Sequence, residues 1–282
     1  MRVLVTGASG YVAKHVIADL SRDHDLLLIS RRHPDETPRG PKVSAEFMRG
    51  DLLDLNDCRQ AVEGVDAVVH IGANPWLSPD TFRNNIMATY NLLEAMSEME
   101  VSRMVFASSN CALGHCAPIS GAFIPDSLPI TESHASRVED SYGLSKLINE
   151  QTLEAYARGH SIESYALRLA WCWGDAEREW REDQPFNPAD HRGGFWAYVD
   201  MRDVVQAFRK ALQAPPNKRA MCQVLYINAA DTMAEEPSLE LAERYFPQLS
   251  LIASRLRGRE SFFSWRAAYE AIGYEPQHSW ME

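Results

Sequence analysis

A short apolar run that breaks on paired glycines is the feature that most constrains this chain. Val3, Leu4 and Val5 read as a strand covered on both faces, Thr6-Gly7-Ala8-Ser9-Gly10 as a tight turn, and Tyr11 to Leu20 as a helix. A strand that feeds a helix through two glycines lets backbone N–H groups approach a pyrophosphate at the helix N-terminus, where the dipole favours negative charge. Ala13 takes the third small position, where helix and strand pack closely. Taken alone, the Gly-x-x-Gly-x-x-Ala spacing is equally an ordinary turn, so the rest of the chain has to decide.

The chain has 282 residues and a formal charge of −11. That length suits one large α/β domain with a small appendage. The acidic balance, with no long basic run, argues against nucleic acid and anionic membrane as partners. No apolar run reaches the roughly 18 residues of a spanning helix, and the chain opens on a strand instead of a signal peptide, so a cytoplasmic location is expected. Cys58, Cys111, Cys116, Cys172 and Cys222 are odd in number and form no Cys-x-x-Cys pair. Reduced thiols and no metal site are therefore expected.

Leu26-Leu27-Leu28-Ile29 reads as a second buried strand and completes a β-α-β unit. About twenty residues beyond the glycines, a fold that holds NAD usually presents an acid to the ribose 2′-OH. Ser30, Arg31 and Arg32 stand there instead. A hydroxyl and guanidinium groups suit a 2′-phosphate, which favours NADP over NAD; the competing reading is a pair of solvated loop charges. Residues 34–42 carry three prolines and a glycine and read as a loop. The next strand, Phe47 to Leu52, brings Asp51 and Leu52, with Asp51 either accepting from an adenine amine or capping a helix that begins near Leu55. Val65 to Ala73 is another buried strand. Within it Ile71, Gly72 and Ala73 let backbone approach a cofactor ribose, and His70 reads as a core residue.

Asn84 to Ala95 reads as an amphipathic helix, and Val101 to Ala107 as a strand that ends in Ser108-Ser109-Asn110. Ligands of an open parallel sheet sit beyond the carboxyl ends of its strands, so these polar groups face the expected site. After a loop rich in Pro, Gly and Ser, Ser141-Tyr142-Gly143-Leu144-Ser145-Lys146 opens a helix that runs to about Arg158. Tyr142 and Lys146 are four apart and share one helical face. Tyr165 to Leu169 is a further strand, Asp200 to Gln213 a helix and Val224 to Asn228 a last strand.

In combination these residues resemble the extended short-chain dehydrogenase/reductases of the NAD-dependent epimerase/dehydratase group. The resemblance rests on Thr6 to Ala13, Asp51-Leu52, Asn85-x-x-x-Thr89-x-Asn91-Leu92-Leu93-Glu94-Ala95, Ser108-Ser109, Tyr142-x-x-x-Lys146, Leu167-Arg168 and Tyr198 to Val204. Within the group, Val105 to Asn110 together with Tyr142 to Lys146 is most similar to the uronate dehydrogenases. The resemblance implies a cofactor cradle of Gly7, Ser9, Gly10, Tyr11 and Val12. It also implies Ser109, Tyr142 and Lys146 as the reacting set, with Ser109 preferred to Ser108 for its distance before Gly114. Asn85 would anchor backbone or a water beside Lys146.

The physical reading agrees with those roles. A phenol normally titrates near 10, but a lysine ammonium one turn away and an oxidised nicotinamide both favour phenolate. Tyr142 can then exchange a proton with a substrate hydroxyl or carbonyl, Lys146 can hold the nicotinamide ribose, and Ser109 can hold the substrate oxygen in line. Asn110 and Cys111 follow Ser109 where dehydratases of the group carry an acid, which disfavours dehydration. A short C-terminal region disfavours a nucleotide sugar. Arg192 falls within about one residue of the arginine that holds the carboxylate in uronate dehydrogenases, or it is a solvated loop residue. Trp171 stands where the family usually has Asn or Ser. With Trp173 and Trp180 it implies a less polar pocket or simply core packing.

These readings converge on an α/β, Rossmann-type doubly wound parallel sheet with a small C-terminal substrate-binding region. Residues 1–170, completed by 196–228, would form the NADP-binding domain, and 171–195 with 229–282 the substrate-binding region. The expected activity is an NADP-dependent oxidoreductase that interconverts a carbonyl and an alcohol or lactol on a small substrate without a nucleotide. Asn110, Trp171 and Arg192 join Ser109 as substrate contacts, and a homodimer is implied by the resemblance. The alternatives are a sugar epimerase that retains its cofactor and an inactive NADP-sensing protein.

Overall fold

Successive side chains along the first strand fall into different cores. Val3 and Val5 pack with Leu26, Leu28 and Val69, whereas Leu4 packs with Leu27, Ile29 and Val68 on the opposite face. That alternation is what a sheet covered on both faces requires, and the sequence meets it with continuous apolar runs. The computed structural model describes residues 1–37, 44–216 and 222–282.

The chain runs β1 (Arg2–Thr6), α1 (Tyr11–Leu20), β2 (Asp25–Ser30), β3 (Glu46–Arg49), α2 (Leu55–Val62), β4 (Ala67–His70), α3 (Pro79–Glu98) and β5 (Arg103–Ser109). It continues through α4 (Ser141–His160), β6 (Glu163–Leu169), β7 (Trp171–Trp173), α5 (Asp175–Asp183), α6 (Pro188–His191), β8 (Tyr198–Asp200) and α7 (Met201–Gln213). It ends with β9 (Cys222–Ile227), α8 (Ser238–Tyr245), α9 (Ser250–Ala253) and α10 (Arg266–Ile272). Seven strands form one sheet in the order β3-β2-β1-β4-β5-β6-β9, every neighbouring pair parallel. The order reverses between β1 and β4, which is the switch point where such sheets bind ligands. This is the expected Rossmann-type doubly wound fold.

Several boundaries move, each for a local reason. The expected strand over 65–73 shortens to β4 because the chain must bend at Gly72 to pass Gly7. The helix expected from Asp200 starts at Met201, and Asp200 is its cap, its carboxylate accepting from the Arg202 N–H at 2.8 Å. Of the Pro-rich loop, Pro34–Glu36 form a 3-10 turn, and residues 38–43 lie outside the described residues. A second, two-stranded sheet joins β7 to β8 with Trp171 opposite Tyr198. It links the segment after β6 to the start of α7, beside the carboxyl ends of the large sheet.

Candidate active site

Two turns meet at the switch point, one after β1 and one after β4. Gly7 adopts φ +66°, a conformation open to glycine, and lies against Gly72 from the end of β4. Gly10 occupies the N-cap of α1 and offers no side-chain cap, so the first-turn amides of the helix are left to an anionic ligand. These two features fit a dinucleotide pyrophosphate, and Ser9, Tyr11 and Val12 surround them. Tyr11 is otherwise engaged at its tip, where its hydroxyl donates to Glu177 Oε2 at 2.7 Å and ties the glycine turn to α5. Burial raises that phenol well above its ordinary pKa.

The neighbouring cofactor candidates sit on the same edge. Ser30 ends β2, and its hydroxyl donates to the Arg32 carbonyl at 2.5 Å, folding the turn that presents the exposed Arg31 and Arg32. Asp51 does not cap α2. Asp54 does, its Oδ1 accepting from the Asn56 N–H at 2.8 Å, and Asp51 accepts from Leu53 at 3.1 Å within its own turn. The Leu52 carbonyl accepts from Asn91 at 2.8 Å, which fixes the Asp51-Leu52 turn onto α3. Ile71, Gly72 and Ala73 follow β4 beside Gly7, the Gly72 N–H donating to Thr6 Oγ1 at 3.2 Å. His70 is a core residue held between Thr6 at 2.6 Å and Thr89 at 3.2 Å, and burial takes its pKa down to about 3.

At the end of β5 the two serines part company. Ser108 donates to buried Glu150 at 2.5 Å, and Glu150 also receives two hydrogen bonds from Arg168, at 3.0 and 2.8 Å. Ser108 is thereby committed to a buried ion pair. Ser109 instead hydrogen-bonds the Tyr142 phenol and accepts from the Cys111 N–H at 3.2 Å. Burial pushes the Tyr142 phenol up to about 12, against the Ser109 hydrogen bond that pulls it down. Lys146 lies one turn further along α4, its Nζ 5.8 Å from the Tyr142 ring centre and 4.7 Å from that of Phe106. Its ammonium donates to the Ala107 carbonyl at 2.6 Å, and burial brings its pKa down to about 7.

Asn85 touches neither reacting side chain. Its Nδ2 donates to Ser145 Oγ at 3.0 Å and to the Asn74 carbonyl at 3.0 Å, while its Oδ1 accepts from the Asn74 N–H at 2.7 Å. Ser145 in turn donates to the Tyr142 carbonyl at 2.7 Å. Asn85 therefore positions the first turn of α4 and the loop after β4, as a backbone anchor.

The expectation of five reduced cysteines is corrected. Cys111 and Cys116 form a disulfide, and Cys58, Cys172 and Cys222 are free. A 3-10 turn over Asn110–Leu113 and a left-handed Gly114, at φ +105°, reverse the chain and bring the two Cα atoms to 5.2 Å. A Cβ on Gly114 would stand 2.3 Å from the Arg137 carbonyl oxygen, so only glycine makes that reversal. Four residues between the cysteines hid the pair from a search for Cys-x-x-Cys. Asn110, the first residue of the turn, lies buried with its Oδ1 3.8 and 3.9 Å from the two sulfurs.

The tryptophans divide. Trp173 is wholly buried, whereas Trp171 is 42% and Trp180 38% exposed. Trp171 stacks on His191 at 5.9 Å, and the next residue is Arg192. Arg192 is exposed and lines a cavity with His115 and Phe123. His115, Ser145 and Glu150 were not singled out in the sequence. Ser145 and Glu150 sit at helical spacing with Tyr142 and Lys146, a signal available in advance, but His115 depends on the fold of the loop.

The NAD dependent epimerase/dehydratase family model matches residues 3–189. An L-arabinose 1-dehydrogenase (NAD(P)(+)) of Haloferax volcanii is 30% identical over 223 residues, covering 76% of this chain and 83% of that protein. A UDP-glucose 4-epimerase of Erwinia amylovora is 30% identical over 184 residues, a match that covers 60% of this chain and 52% of the epimerase. Among solved structures, a uronate dehydrogenase from Agrobacterium tumefaciens is 26% identical with a TM-score of 0.64, covering 82% of this chain and 78% of that one. A short-chain dehydrogenase/reductase superfamily protein from the same organism, solved with bound NAD, shares the fold at 21% identity with a TM-score of 0.73, over 100% of this chain and 94% of that one.

Proposed function

Because the chain belongs to the NAD dependent epimerase/dehydratase family and is an NAD(P)-dependent oxidoreductase of the extended short-chain type, we propose that it interconverts a carbonyl and an alcohol or lactol on a small substrate without a nucleotide, with NADP as its cofactor. The observation that carries this reading is the Tyr142 phenol, hydrogen-bonded by Ser109 at a strand end with Lys146 one turn away. A dinucleotide held there would supply the hydride acceptor or donor.

The residues divide the remaining work. Tyr142 exchanges the proton with the substrate oxygen, and Ser109 orients that oxygen. With burial holding Tyr142 near 12, the Ser109 hydrogen bond, together with the positive charge that an oxidised nicotinamide would bring, draws the phenol down toward the working range. Lys146 holds the nicotinamide ribose in addition to the Ala107 carbonyl. Asn85 keeps the first turn of α4 in register. Gly7, Ser9, Gly10, Tyr11 and Val12 cradle the pyrophosphate, and Asp51 and Leu52 receive the adenine. Ile71, Gly72 and Ala73 offer backbone to the ribose, and Ser30, Arg31 and Arg32 take the 2′-phosphate. Asn110, Trp171 and Arg192 face the substrate.

On this reading residues 1–170 and 196–228 hold the cofactor, and 171–195 with 229–282 shape the substrate site. The protein would work in the cytoplasm as a homodimer, paired through α3 and α4, where Phe82, Met87, Tyr90 and Leu144 remain exposed. No helix among the described residues is long and apolar enough to cross a membrane. The decisive experiment is Tyr142→Phe. Turnover should fall by about 10²-fold or more, the low end of what a positioned acid or base contributes, with NADPH affinity retained. Unchanged turnover overturns the assignment.

A further inference from the structure

α5 presents little apolar surface to the protein core. Of its nine residues only Arg181 is buried, and Trp180 meets the exposed Trp171. Polar ties hold it instead. Arg178 donates to Asp200 Oδ2 at 2.5 Å and Arg181 to Glu235 Oε1 at 3.0 Å, which fastens the helix to the end of β8 and to the segment before α8. Glu177 makes a third tie, and of the three it is the one that reaches the glycine turn. An element with so few buried apolar contacts opens at low free energy, so its polar ties decide where it rests.

The surroundings of Glu177 are shaped for this contact. Its Oε2 accepts from the Tyr11 hydroxyl at 2.7 Å and from the Gly174 N–H at 2.9 Å. A Cβ on Gly174 would stand 2.1 Å from the Tyr11 hydroxyl, although the φ of −106° there is open to any residue. Glycine is needed at 174 for space, and the space is taken by the phenol. The Tyr11 ring is braced edge-on against His15, one turn along α1, at 5.6 Å.

Tyr11 is also the first residue of α1, so its backbone N–H is among the first-turn amides left to an anion. One residue thereby offers its amide to a pyrophosphate and its phenol to α5. The Cys172 thiol, two residues before Gly174, lies within electrostatic range of both Tyr11 and Tyr142, which sets the tie beside the reacting phenol. We propose that Glu177 is a positioning residue for the cofactor: through Tyr11 it clasps α5 against the glycine turn, and a bound dinucleotide is released when that hydrogen bond opens. This role rests on the proposed dinucleotide site at the glycine turn, and it ties that site to segment 171–195.

Release of NADPH from the loaded protein, followed by stopped-flow fluorescence after mixing with excess NADP⁺, tests the clasp. Tyr11→Phe and Glu177→Ala should each speed release about tenfold, the worth of one hydrogen bond to a charged group. Combining them should add little to either alone, because both remove the same contact. Glu177→Gln loses the charge but keeps an oxygen that accepts from both donors, so its release should stay within about twofold of wild type. NADH shares the pyrophosphate and should show the same pattern when chased with NAD⁺. Unchanged release from Tyr11→Phe, additive effects in the double variant, or Glu177→Gln releasing as fast as Glu177→Ala overturns the clasp. Slower release from Glu177→Ala also overturns it, since the carboxylate would then act only by repelling the phosphates. A wild type that holds neither nucleotide overturns the cofactor reading and the clasp together. One that holds them, with release unchanged across the series, overturns the clasp alone.

Discussion

Gly7 and Gly72 meet backbone to backbone, so that a Cβ on Gly7 would stand 2.5 Å from the Gly72 Cα and 2.7 Å from its nitrogen. The contact follows from strand order, because β1 and β4 are neighbours with Val5 opposite Val69 and both chains turn away at the same level. Gly10 is less confined. Its nearest neighbour would be the Gly7 carbonyl at 3.1 Å, and its φ of −83° is open to any residue. Gly7→Ala should therefore destabilise the protein by about 2 kcal/mol or more through strain and clash, and also weaken NADPH binding. Gly10→Ala should impair binding with a smaller loss of stability. Urea unfolding and cofactor titration of the two variants check this, and equal stability losses would contradict it.

The disulfide closes a short loop directly after Ser109, and Cys116 is its exposed end. Loop-closure entropy for so few residues amounts to about 2 kcal/mol. Cys116→Ser should lower the unfolding free energy by that amount, and the native unreduced protein should show none of the thiol reactivity of Cys116. An unchanged unfolding midpoint, or a titratable Cys116 thiol in the folded protein, would refute the bridge.

Most of the scaffold was legible because its signals are local. The glycine turn, the apolar strands and the Tyr142/Lys146 spacing each depend on a few consecutive residues, and α1 spans Tyr11 to Leu20 as its pattern indicates. What escaped depends on contacts between distant segments. Asp51 and Asp54 are both acids before a helix, and only the backbone path makes Asp54 the cap. Trp171 and Trp173 share one face of β7, yet one is 42% exposed and the other buried, because Trp173 packs against Tyr198 at 4.8 Å with the Trp171 ring edge-on to Trp173 at 5.4 Å. Cys111 and Cys116 are joined by a reversal at Gly114 whose cause lies at Arg137.

Lys146 makes stability depend on pH. Its ordinary pKa is 10.5 and burial brings it to about 7, so between those values the unfolded chain carries a proton there that the folded protein does not. Where the unfolded state binds more protons, stability rises with pH. The contribution is therefore full above pH 10.5 and is lost as pH falls through 7. Relative to Lys146→Met, the cofactor-free wild type should gain on the order of 1 kcal/mol per pH unit across pH 8 to 9.5. Urea unfolding of both proteins over that range measures the difference, and a flat difference would mean that Lys146 stays charged in the folded state.

The choice between the two dinucleotides falls on the turn after β2. Ser30 donates to the Arg32 carbonyl, and this closes the turn without using either guanidinium. Arg31 is exposed, with no ion pair among the described residues. An arginine and a phosphate form a charge-assisted fork, worth about 1.5–3 kcal/mol and so about 10- to 100-fold in affinity. NADH has a ribose hydroxyl at the same place and gains little from that charge. Arg31→Glu should thus weaken NADPH by at least about tenfold while NADH changes far less, narrowing or reversing the preference. Fluorescence titration of both nucleotides measures it. Equal losses for the two would show that Arg31 does not reach the 2′-phosphate, and a wild type that prefers NADH would overturn the assignment of NADP itself.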